Sequence, residues 1–114
     1  MVRTVFLAQM SHCDLGYTAP AVEVRRQHVE HLRAVLALCR NTRDLPDGRR
    51  YKWTCEASWT VKEFLAHAEP AERAVFFDFV RAGQIELAGF FGILQFELAS
   101  MEELIRNCQY SLEL

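Results

Sequence analysis

Thr4-Val5-Phe6-Leu7-Ala8 is followed closely by Ser11-His12-Cys13-Asp14-Leu15-Gly16-Tyr17-Thr18. A short, almost continuous apolar run suits a strand buried on both faces, as the strands of parallel sheets are. Residues two apart in extended backbone point to the same side, so His12 and Asp14 converge just past the end of that strand. Gly16 lets the chain turn sharply beneath them. An imidazole nitrogen and a carboxylate oxygen both bind zinc at roughly 2.0–2.2 Å. By itself the same spacing also describes a hydrogen-bonded pair that stabilises a loop.

Working outward, Thr18 and Pro20 offer an N-cap and an early-turn proline. Val22, Val29, Leu32, Leu36 and Cys39 then recur at helical spacing and predict a long first helix. The turn-rich stretch Asn41 to Gly48 ends it. Alternating aromatic and polar residues from Tyr51 to Glu56 predict a second strand. Thr60-Val61-Lys62-Glu63 matches a capping box and predicts a helix start. Pro70 restarts a helix whose apolar face is Val75, Phe76, Phe79 and Val80, with Gly83 placed to end it in a left-handed cap. Ile85 to Gly89 is the expected third strand. A second capping box, Ser100-Met101-Glu102-Glu103, opens a last helix with Met101, Leu104, Ile105, Cys108 and Leu112 as its inner face.

Strands separated by helical crossovers make an α/β fold of parallel β/α units, wound right-handedly. Three parallel strands are expected near residues 4–9, 51–56 and 85–89, with His12, Asp14 and Glu56 on one rim. Active sites of such folds lie at the C-terminal strand ends, where these residues fall. The order reads as the first part of a longer β/α barrel or open sheet, within a single unit spanning residues 1–114.

Composition narrows the classes. With 51% apolar and 25% charged residues the chain resembles ordinary globular domains and not a disordered segment. A net charge of -2 with both signs interspersed offers no basic stripe for a nucleic acid. The apolar run Val2 to Ala8 is far shorter than the roughly 20 residues of a membrane helix, and it lacks the features of a secretory signal. A cytoplasmic location is therefore expected. Cys13, Cys39, Cys55 and Cys108 are scattered and read as reduced thiols, Cys39 and Cys108 as core. His28, His31 and His67 read as surface residues.

The His12-Cys13-Asp14-Leu15-Gly16-Tyr17-Thr18 stretch resembles the His-x-Asp-x-Gly-aromatic signature of glycoside hydrolase family 38, the retaining α-mannosidases. Trp53-Thr54-Cys55-Glu56-Ala57-Ser58-Trp59 is similar to that family's second-strand segment, and Gly83-Gln84-Ile85-Glu86-Leu87 to its third. Glu97 to Arg106 resembles the acidic start of the helix that follows. The resemblance implies the N-terminal part of a β/α barrel-type glycosidase domain acting on α-mannosides or mannose-containing oligosaccharides. It implies one zinc (Zn) ion, with His12 and Asp14 as two of its ligands, and Tyr17 as an aromatic stacked on the sugar ring. Members of the family often carry tryptophan at the Tyr17 position.

Glu56 is placed to accept a hydrogen bond from His12, because zinc-bound histidines usually donate their other N–H to a carboxylate or carbonyl. Trp59, Phe90 and Phe91 are candidate pocket-lining residues, while a place in the core accounts better for Trp59 and Trp53, and burial under a loop accounts equally for Phe90 and Phe91. Retaining glycosidases need two carboxyl groups roughly 5–5.5 Å apart. The resemblance puts the nucleophilic aspartate and a further zinc-binding histidine beyond Leu114, so the 114 residues alone are expected to be inactive. Two other readings stay open. One is another metal-dependent barrel hydrolase of the deacetylase or amidohydrolase type. The other is a non-catalytic fragment that self-associates through an open sheet edge.

Overall fold

The computed structural model describes residues 1–114. Four α-helices, α1 (Ala21–Thr42), α2 (Ser58–His67), α3 (Pro70–Arg81) and α4 (Met101–Glu113), surround two short strands, β1 (Trp53–Cys55) and β2 (Ile85–Leu87). The strands pair in parallel, with Trp53 opposite Ile85 and Cys55 opposite Leu87. Met10 bridges to the other side of Thr54, also in the parallel sense. The spatial order is therefore N-terminal segment, β1, β2.

The expected first strand is reduced to this bridge and to one hydrogen bond from Thr54 N to Gln9 O of 2.8 Å. Val5, Phe6 and Leu7, expected to be buried on both faces, are 72%, 92% and 88% exposed. No element of the chain packs over them, and a strand without a partner on either face keeps no regular ladder. The architecture is a small parallel α/β unit; a closed barrel is not formed by these residues.

The core lies between α1, α2, α3 and the sheet. Phe64 and Phe76 are wholly buried with ring centroids 5.4 Å apart, flanked by Val61, Ile85 and Cys39. Each such side chain contributes about 1.5–3 kcal/mol when removed from water. On α1 the buried positions are Val24, His28, Val29, Leu32, Val35, Leu36 and Cys39, a stripe at helical spacing. Val22 is not part of it: two positions before Val24 it faces away and is exposed. His28, expected at the surface, belongs to the stripe. The helix follows Pro20 directly, without a side-chain cap.

The two expected capping boxes fare differently. Ser100 accepts from Glu103 N and the Glu103 carboxylate accepts from Ser100 N, as the sequence predicts. Thr60 is not a cap. α2 begins at Ser58, and the Thr60 hydroxyl donates back to Ala57 O at 2.8 Å. The first amides of α2 are satisfied by the loop after β2, with Ser58 N donating to Phe90 O and Trp59 N to Phe91 O at 2.9 and 3.0 Å. α3 carries its own box, Glu69 with Glu72, around Pro70. It ends at Gly83, whose φ of 68° permits the paired bonds Gln84 N to Phe79 O and Gly83 N to Val80 O.

α4 docks through a different face from the one its apolar spacing predicts. Met101, Ile105 and Leu112 are exposed, Cys108 is half-buried, and no residue of the helix is buried. The contacts come from Asn107, Tyr110 and Ser111 instead. Asn107 clamps Gly92 through both its backbone groups, Ser111 Oγ donates to Ser58 Oγ at 2.9 Å, and Tyr110 meets Phe91 edge to face. No helix is long and apolar enough to cross a membrane.

Candidate active site

β1 ends at Cys55, so Glu56 projects from its C-terminal end, beside the segment that carries His12 to Asp14. His12 Nδ1 lies 3.0 Å from both Glu56 carboxylate oxygens, and Cys13 N donates to Glu56 Oε2 at 3.0 Å. One carboxylate thus fixes the imidazole and the backbone beside it. With Nδ1 donating to Glu56, Nε2 is left on the far side of the ring, 3.3 Å from Asp14 Oδ1. Glu56 first and Asp14 second raise the proton affinity of His12, so the electrostatics at this point favour a positive charge. Gly16, with φ of 79°, turns the chain away immediately afterwards.

The geometry fits two ligands of one small cation. At metal–ligand lengths of roughly 2.0–2.2 Å, adjacent corners of a tetrahedron stand about 3.3–3.6 Å apart, close to the His12–Asp14 separation of 3.3 Å. No third histidine, cysteine or carboxylate joins them to complete a metal-holding group. Cys13 lies between the two, but partial burial pushes its thiol up, with Glu56 and Asp14 adding to the effect, and so keeps it protonated.

Next to the pair, Cys13, Leu15, Trp59, Phe91, Gly92 and Ile93 line an apolar cavity of about 300 Å³. Trp59 and Phe91 stand in its wall, and Phe90 turns away to pack edge to face on Phe96 at 5.4 Å. Tyr17 is 88% exposed and is not part of the cavity lining. Behind Trp59 stands His28, their rings edge to face at 5.9 Å. Neither His28 nor Asn107, which holds the Gly92 loop, was identified from sequence. The signal for His28 was its place four residues after Val24 and four before Leu32.

Parallel strands with an imidazole and two carboxylates gathered at their C-terminal ends define a small α/β domain whose candidate site lies on the strand rim. The chain belongs to glycosyl hydrolases family 38: the profile of that family's N-terminal domain matches residues 2–113. Among solved structures it is similar to an alpha-mannosidase from Enterococcus faecalis V583, with a TM-score of 0.71, 20% identity and 89% of the chain covered. The chain spans 11% of the length of that protein. No curated protein matches it.

Proposed function

We propose that these residues form the zinc-binding front of a retaining α-mannosidase-like glycosidase. The observation that carries the proposal is the triad of His12, Asp14 and Glu56 on one strand rim, in a chain of this family. His12 Nε2 and Asp14 would hold the metal, and Glu56 would keep His12 in the tautomer that leaves Nε2 free for it. A zinc ion held there would supply Lewis-acid chemistry towards sugar hydroxyls. The protein's own part is to orient the imidazole, to offer the sugar an apolar wall at Trp59 and Phe91, and to present Tyr17 for stacking once a ring is bound. The nucleophilic aspartate and a further histidine ligand would come from later strands of the whole protein.

Two ligands hold zinc weakly, since structural sites use four and catalytic sites generally three. Calorimetric titration of the 114 residues should therefore show weak binding that His12→Ala removes. Tight zinc binding that survives His12→Ala would place the ligands elsewhere. The deacetylase-type alternative finds no specific support.

A further inference from the structure

At the opposite end of β1 from Glu56, a second cavity opens between the end of α1 and the outer part of α3. It is about 480 Å³, and its lining includes Arg40, Arg43, Arg50, Asp44, Asp78 and Val75. Arg50 and Glu56 are six residues apart along an extended chain, so the two sites are separated by roughly 20 Å. We propose that this cavity binds a phosphate ester.

The charges in it are unevenly committed. Arg40 and Arg50 have no carboxylate within ion-pair distance, and Arg43 has only Asp44, 98% exposed and 4.0 Å away. Asp78 is paired with Arg81 at 3.0 Å, outside the lining. Arg50 is held by its Nε, which donates to Leu45 O at 2.8 Å and leaves its two terminal nitrogens free. The backbone that carries these arginines is tied down. Tyr51 N donates to Thr42 Oγ1 at 2.9 Å, joining the end of α1 to the start of β1. Gln84 Nε2 donates to Tyr51 O at 3.1 Å, joining β2 to the same point.

Three guanidinium groups suit an anion with three acceptor oxygens and nearly two charges, which is a phosphomonoester, better than a monocarboxylate with two. The cavity is several times larger than a phosphate, and the half-buried Val75 gives the organic part of an ester an apolar surface to cover. Hence the ligand class is a small phosphorylated metabolite and not free phosphate.

The test titrates the full chain with a hexose 6-phosphate, with inorganic phosphate and with the unphosphorylated hexose. The ester should bind saturably and about tenfold tighter than inorganic phosphate, and the hexose should not bind. Arg40→Gln, a change at an exposed residue with no side-chain partner, should weaken the ester about tenfold while the circular dichroism spectrum stays the same. Asp44→Asn should tighten it. Equal binding of ester and inorganic phosphate would assign the site to the free anion and overturn the proposal. So would absence of saturation, or an affinity unchanged by both Arg40→Gln and Arg50→Gln.

Discussion

At the residue scale, the molecule turns on what surrounds two histidines. His12 sits between two carboxylates and attracts positive charge; His28 sits against Trp59 on the buried face of α1 and resists it. Burial, reinforced by the nearby His31, holds the His28 proton affinity below the ordinary value of 6.5. The folded state therefore keeps His28 neutral where the unfolded chain takes up a proton. Stability from this source is complete above pH 6.5 and falls as the pH drops below it towards the lowered folded value. Replacing His28 by phenylalanine should remove that acid-side loss, read as the difference in urea midpoint between pH 7.5 and pH 5 (both approximate settings of the experiment). An identical pH dependence in both proteins would contradict the account. The convergence of His12, Asp14 and Glu56 was legible in the sequence because parallel strands deliver their C-terminal residues to one rim. His28 was misread because its neighbours Arg25, Arg26 and Glu30 are charged, although its own position matches the buried stripe. Tyr17, directly after the Gly16 turn, stands exposed.

At the scale of elements, local signals succeeded where the backbone satisfies itself and failed where a neighbour does so. Ser100 with Glu103 and Gly83 at the end of α3 are self-contained devices, and both are present. The start of α2 is different: carbonyls of Phe90 and Phe91 take the amides that a threonine cap was expected to take. That long-range substitution leaves no trace in the local sequence. α4 shows the same limit, since its polar face docks while Met101, Ile105 and Leu112 remain in water. Gly83 gives the cleanest test. Nothing lies within 4 Å of where a Cβ would stand, so alanine there meets only the left-handed backbone penalty of about 1–2 kcal/mol. Gly83→Ala should lower the thermal midpoint by several degrees, and Gly83→Asn by less, because asparagine tolerates this conformation. Equal loss from both would mean that the position is sensitive for a reason other than φ.

At the scale of the whole molecule, the chain is more open than its length requires. Its radius of gyration is 15.3 Å, against about 13 Å for a compact domain of this size. Only 19 of 114 residues are buried, and the exposed apolar groups cluster on the N-terminal segment and on α4. These are surfaces that covering would stabilise, and they account for the gap between the buried first strand that composition predicts and the exposed one observed. The parallel order of the strands was nevertheless readable, because β/α alternation constrains topology even when individual strands shorten. On the proposed reading, Asp14 serves a metal needed for sugar hydrolysis. Hydrolysis of an aryl α-mannoside with added zinc should be absent for residues 1–114 alone and present, with anomeric retention, for the whole protein that carries them. Asp14→Ala should reduce the latter by about a hundredfold or more. Turnover by the 114 residues that Glu56→Gln abolishes and Asp14→Ala leaves intact would contradict the account.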